Sequence, residues 1–133
     1  MIKIAIAREV EVGENRVAMS PDVVTRLIKQ GVEVLVETGA GERAFFADEA
    51  YEAVGARVVA DKAQLWGEAD VLLKVSPPSE GDAEIDLLRL GSVLISFLDP
   101  LREPARMQRL AGKQVTAFSM ELIPRTTRAQ SMD

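Results

Sequence analysis

Two stretches of this chain concentrate side chains able to do chemistry. One is the C-terminal segment ELIPRTTRAQSMD, Glu121 to Asp133, which carries Arg125, Gln130 and Asp133. Arg supplies donors, Gln supplies both donor and acceptor, and Asp can orient the Arg; none is a good general acid or base at neutral pH without help. Such a set suits hydride transfer between two cofactors, where the protein mainly positions two rings. Composition alone reads the same segment as a polar linker with a proline break.

The other stretch is EVEVGENRVAMSP, Glu9 to Pro21, between the first predicted strand and the first predicted helix. Loops of this kind lie at the strands' carboxyl edge, where open α/β sheets place ligands. Arg16 in it could fork onto a carboxylate or phosphate, or pair on the surface with Glu9 or Glu14. Lys74 ends an apolar strand on the same edge, and a lysine there is costly unless it has a partner.

A more obvious motif is a decoy. Gly39, Gly41 and Ala44 make a G-x-G-x-x-A after the second strand. A dinucleotide fingerprint follows the first strand and opens a helix directly, so that phosphate meets the helix N-terminus. Here the chain runs on through Phe45 and Phe46 to a helix cap at Asp48, and Glu42 brings negative charge. The motif is read as a glycine-rich turn.

Composition removes several chemistries. With no Cys and no His among 133 residues there is no disulfide, thiolate nucleophile, Ser-His triad or ordinary zinc site within the chain. No spaced carboxylate loop suggests an all-oxygen metal site, so no metal is expected. The net charge of −5 argues against nucleic acid as a partner. The longest apolar stretch, Leu90 to Leu98, is well short of the ~20 residues a spanning helix needs. Charges interrupt MIKIAIAREV too early for a signal peptide, and a cytosol-facing protein is the simplest expectation.

The elements that must position these residues alternate. Strands are expected at Ile2–Ala7, Val32–Val36, Ala56–Ala60, Asp70–Val75, Ser92–Phe97 and Gln114–Ser119. Between them, Ser20 and Pro21 open a helix closed by Gly31, Asp48–Val54 forms one closed by Gly55, and Asp61 caps a short one with Leu65 and Trp66. Asp82 is expected to cap a helix carrying Ile85, Leu88 and Leu90 up to Gly91, and Pro104–Ala111 one closed by Gly112. The strands are continuous apolar runs, as in sheets covered on both faces. The expected fold is α/β: a doubly wound, mainly parallel, Rossmann-like sheet of about six strands.

The stretch EVEVGENRVAMSPDVVTRLIKQG resembles the N-terminal signature shared by alanine dehydrogenases and the NAD-binding component of proton-translocating nicotinamide nucleotide transhydrogenases. PRTTRAQSMD resembles the transhydrogenase branch specifically. The resemblance extends through VETGAGERAFF, ADVLLKVSPP, GSVLISFLDP and VTAFSMELIPR, and so covers essentially the whole chain. Ala7 stands where the signature usually has Pro, and Gly13 where it usually has Asn.

The resemblance implies a Rossmann-like first domain at 1–119, completed by a helix returning from the far C-terminus. Residues 120–133 would be an interdomain loop leading to a second, NAD-binding domain that lies beyond this chain. It implies an oxidoreductase, an NAD(P)⁺ transhydrogenase that passes hydride from NADH to NADP⁺ and translocates protons, with this piece inactive alone. NAD(H) would be the cofactor of the full-length protein and NADP(H) that of a partner component. The partners implied are a second copy, as a homodimer, and the NADP(H)-binding and membrane domains. The location would be cytoplasmic, peripheral on the inner face of the membrane. Arg125, Gln130 and Asp133 match the family's mobile loop. By that match Arg125 holds the NAD nicotinamide or its phosphates, Asp133 fixes Arg125, and Gln130 bridges towards NADP(H).

Alanine dehydrogenases use an Arg, a Lys and a His. Arg16 and Lys74 match the first two, as a relic substrate pocket, but the His position after the fifth strand reads Leu98-Asp99-Pro100. An ionised Asp there would repel a substrate carboxylate. Two alternatives stand beside the transhydrogenase assignment: an alanine-dehydrogenase-like amino-acid oxidoreductase and a non-catalytic α/β binding module.

Overall fold

The computed structural model describes residues 1–79, 83–98 and 104–122. Six strands form one sheet: β1 (Lys3–Ile6), β2 (Glu33–Glu37), β3 (Arg57–Val59), β4 (Val71–Leu73), β5 (Val93–Ser96) and β6 (Thr116–Ser119). Their order is β3-β2-β1-β4-β5-β6, and every neighbouring pair is parallel. The chain starts in the middle, winds outward to β3, then crosses back and winds out to β6. This is the expected doubly wound arrangement, and the carboxyl ends of all six strands share one edge.

Among the described residues, four α-helices lie between the strands: α1 (Pro21–Lys29), α2 (Asp48–Ala53), α3 (Lys62–Glu68) and α4 (Pro104–Gly112). Pro21 stands at the start of α1, where its missing N–H costs nothing. Gly31, at φ +87°, turns the chain out of the helix and donates to Ile28 O at 3.0 Å. Asp61 caps α3 by accepting from Gln64 N.

The two faces of the sheet have separate cores. On one, Trp66 and Leu65 of α3 and Leu110 of α4 pack with Leu35, Leu72 and Leu94. On the other, Val24 of α1 and Tyr51 of α2 pack with Ile6, Val34 and Val36. Fully burying each such aliphatic side chain contributes about 1.5–3 kcal/mol. The second core includes no residue of β4, β5 or β6. Register places Leu73 beside Ile6, Ile95 beside Leu73 and Phe118 beside Ile95, so these side chains share that face. There Leu73 and Ile95 are half-buried, Phe97 is 39% exposed and Phe118 54%.

Local expectations fail in four places. Ser20 makes no capping bond through its side chain. Asp48 is the first residue of α2 rather than its cap; its carboxylate reaches back to Thr38 Oγ1 and Gly39 N. The segment before β5 is a single 3₁₀ turn, Glu84–Leu87, and not a helix reaching Gly91. Ile85 and Leu88 are buried there as expected, but Leu90 is 67% exposed: the turn ends at Leu87, the chain is extended at Leu88, and Glu84 is buried in the turn instead. Asp82 lies outside the described residues. Gly112 is still helical, and the positive φ that ends α4 falls on Gln114, at 58°.

The amino edge is tied by Asp70, whose carboxylate accepts from Lys3 N at 2.8 Å and pairs with Arg89. The Lys3 amide, then Arg89, hold its pKa below the ordinary 3.8. A depressed carboxylate contributes stability present above the unfolded pKa and lost as pH falls through the folded one. We therefore expect Asp70→Asn to flatten the loss of stability below about pH 4. The effect is under about 1 kcal/mol, since the group is a third exposed. Urea midpoints across that range check it; an unchanged acid slope would discount the tie.

Candidate functional site

The chemistry collects at the carboxyl edge, where three loops meet. Lys74 follows β4 directly; its amide donates to Ile95 O, and its side chain is wholly buried. An ammonium in that position requires counter-charge. Glu9, two residues after the buried Ala7, provides it: Oε1 accepts from Lys74 Nζ at 3.1 Å. The same carboxylate takes the amides of Val75 at 2.9 Å and Ser76 at 3.0 Å. On the far side Glu84, itself fully buried, brings Oε1 to 3.8 Å from Lys74 Nζ and accepts from Ser79 N at 2.7 Å. Its Oε2 meets Lys62 Nζ at 2.6 Å without a well-aligned hydrogen bond.

Lys62, Glu84, Lys74 and Glu9 thus alternate in sign through the core edge. Lys62 Nζ also lies 5.8 Å from the centroid of Trp66, whose buried indole N–H has no partner among the described residues. Glu84 and Lys62 are missing from the sequence expectation. The available signal was a glutamate beside Ile85 and Leu88 in an otherwise core-facing pattern.

Among the described residues, Arg16 and Lys74 share no carboxylate partner. Arg16 forks onto Glu14, with Nε to Oε2 and Nη2 to Oε1 both at 2.9 Å, and 68% of its side chain is exposed. Glu14 also accepts from Ser76 Oγ at 3.0 Å. The Arg16 hydrogen bonds hold the Glu14 carboxyl down to about 2. Arg16 and Lys74 are therefore linked through Glu14, Ser76 and Glu9, and each has its charge met by the chain's own carboxylates.

The glycine turn follows β2. Gly39 N donates to Asp48, Ala40 N to Glu37 O, Glu42 N to Gly39 O, and Ala44 N to Gly41 O. A phosphate cradle needs such amides free and aimed outward. Only a three-residue 3₁₀ turn, Glu42–Ala44, follows it, so this backbone does not fit a dinucleotide pyrophosphate. Tyr51 secures the turn's other side, its hydroxyl donating to Met19 O at 2.8 Å while burial pushes the phenol up to about 12. Glu37 is buried too; desolvation raises its pKa against the opposing hydrogen bond from Arg8 N.

Arg125, Gln130 and Asp133 lie outside the described residues, as does Asp99. Among the described residues no group of three or more His, Cys, Asp and Glu could hold a metal ion, and no helix is long and apolar enough to cross a membrane.

Known proteins share this fold. The family model described as alanine dehydrogenase/PNT, N-terminal domain, matches residues 5–133. NAD(P) transhydrogenase subunit alpha of Cereibacter sphaeroides is 42% identical over 99% of this chain and 25% of its own length. Alanine dehydrogenase of Bacillus subtilis is 42% identical over 90% of this chain and 31% of its own. The crystal structure of a transhydrogenase from Sinorhizobium meliloti superimposes with a TM-score of 0.92 at 44% identity, over 98% of this chain and 38% of that one. The chain thus spans well under half the length of each of these relatives. With the fold, the buried lysine and this match over nearly every residue, the chain belongs to the alanine dehydrogenase/PNT N-terminal domain family.

Proposed function

We propose that this chain is the first domain of the NAD(H)-binding subunit of a transhydrogenase. That assembly passes hydride from NADH to NADP⁺ and couples the transfer to proton movement across a membrane. The observation carrying the choice within the family is the state of Lys74 and Arg16. Both are neutralised by Glu9, Glu84 and Glu14 of the same chain, which leaves no unpaired cation of that pair for an amino-acid carboxylate. The absence of any His in the chain supports the same choice.

The division of labour follows. The domain is 1–119, and 120–133 is the loop leading to a second domain that binds NAD(H), since the amides of Gly39 and Ala40 are already spent within this chain. The open face of β4–β6 supports completion by a helix from elsewhere in the longer polypeptide: half-buried Leu73 and Ile95 and exposed Phe97 and Phe118 would be covered by it. In the loop, Arg125 would hold the bound cofactor, Asp133 would orient Arg125, and Gln130 would reach towards the NADP(H) side. The assembly would contain two copies of the subunit, with a NADP(H)-binding component and a membrane domain, on the cytoplasmic face.

The test uses the complete gene product with its partner component and follows NADH-dependent reduction of an NADP⁺ analogue. Gln130→Asn keeps the amide but shortens the arm by one methylene. The transfer rate should fall about tenfold or more, equivalent to ~1.4 kcal/mol of barrier, while NADH affinity changes far less. Arg125→Ala should lower both, because a charged donor to the cofactor is lost. An unchanged rate in Gln130→Asn makes the segment a linker, and turnover of L-alanine favours the amino-acid enzyme.

A further inference from the structure

We propose that the cleft above β1 and β2 binds a phosphate group through the guanidinium groups of Arg8 and Arg43. The cleft is lined by Arg8, Glu9, Glu14, Arg16, Gly39, Ala40, Glu42 and Arg43, from loops after two adjacent strands at the carboxyl edge. Its charges divide into spent and unspent. Glu9 is held by Lys74 and two amides, and Glu14 and Arg16 hold each other. Arg8 engages Glu37 only through its backbone N–H. Among the described residues, the guanidinium groups of Arg8 and Arg43 make no hydrogen bond or ion pair, and Glu42 is the one cleft carboxylate without a cation. The unspent charges, Arg8, Arg43 and Glu42, sum to +1 in a chain whose total is −5.

Phosphate fits this better than carboxylate. Each guanidinium can fork onto two oxygens, and two guanidinium groups from separate loops together present a set that four oxygens satisfy and two do not. Gly39 keeps the floor low: a Cβ there would sit 3.7 Å from Arg8 Nε and 3.4 Å from Glu42 Oε2, so both side chains lie across it. Glu42 therefore flanks the same spot and opposes the anion. The site uses side chains and not the glycine turn, and it is independent of the transhydrogenase assignment.

Calorimetric titration of the chain with inorganic phosphate at low ionic strength tests it. Two exposed guanidinium groups should give a dissociation constant on the order of 1 mM, abolished in high salt. Arg8→Gln and Arg43→Gln should each weaken binding about fivefold or more, as a forked charge-assisted contact is lost. Glu42→Gln should tighten it about threefold, by removing a like charge. Tighter binding of AMP than of phosphate would point to a nucleotide as the source of the group, and equal binding to free phosphate. All three substitutions are at exposed positions and should leave folding intact. Equal affinity for acetate overturns the phosphate assignment. No binding even in Glu42→Gln, or binding unaffected in both arginine variants, overturns the site.

Discussion

Lys74→Ala is expected to destabilise the domain by about 3–5 kcal/mol, the cost of removing one partner from a buried ion pair. That is a large share of the ~5–15 kcal/mol that holds a domain of this size together. The loss has two parts. Glu9 keeps the amides of Val75 and Ser76, and Glu84 keeps Ser79 N and Lys62, but both carboxylates then face each other across a gap without the intervening positive charge. The buried stem of the lysine also leaves a cavity. Lys74→Met restores most of the stem and should recover part of the loss. Combining Lys74→Met with Glu84→Gln should cost less than the sum of the two single changes, because the two positions share a network. Trp66 is the sole tryptophan and lies beside Lys62, so its fluorescence reports urea unfolding from within the network. A loss below about 1 kcal/mol would place Lys74 in the class of solvent-screened pairs and reopen it as a ligand group.

Gly41→Ala is the second large effect expected. A Cβ at Gly41 would stand 2.8 Å from Phe46 O, 2.8 Å from Tyr51 Cε2 and 2.9 Å from Phe46 Cβ. One of those contacts is backbone, and Tyr51 is fully buried with its hydroxyl committed to Met19 O. Neither neighbour can yield without moving α2 or the loop ahead of α1. Overpacking of this kind costs about 1–3 kcal/mol. Gly39→Ala makes an instructive comparison: its nearest neighbours are the flexible ends of Glu42 and Arg8, and its penalty comes from φ +78°. Gly41→Ala should therefore lower the melting temperature and loosen Tyr51, whose ring signals would shift, whereas Gly39→Ala should leave Tyr51 in place. Equal effects at both glycines would assign the requirement to backbone conformation alone.

The mixed fate of the glycine motif shows what a local pattern carries. Its spacing imitates a phosphate loop, and its position after the second strand already argued otherwise. The reason it is a turn is tertiary: Asp48, from the next helix, takes the Gly39 amide, and Tyr51 fills the space a side chain would occupy.

The alternation of apolar runs with capped polar-apolar segments was sufficient for the parallel sheet. A buried parallel strand must be apolar throughout, and only a crossover helix can return the chain to start another. Closure by Gly31 and Gly55 was equally legible, because few residues tolerate their positive φ. Gln114 shows the limit: the chain bears positive φ at a glutamine, where Val115 must turn back into the core. Lys74 was legible as a problem, an ammonium at the end of an apolar strand, but its solution was not. Glu9 lies 65 positions away in sequence, and Glu84 sat inside a segment that read as an amphipathic helix. Pairing of buried charges depends on which loops the strand order brings to one edge. That order, with β1 and β4 adjacent, is set by packing both faces of the sheet and by no local run of residues. The residue types present were thus the sequence's own determination, and which of them are spent on each other was decided by the tertiary structure, because a charge removed from water must find its partner in three dimensions.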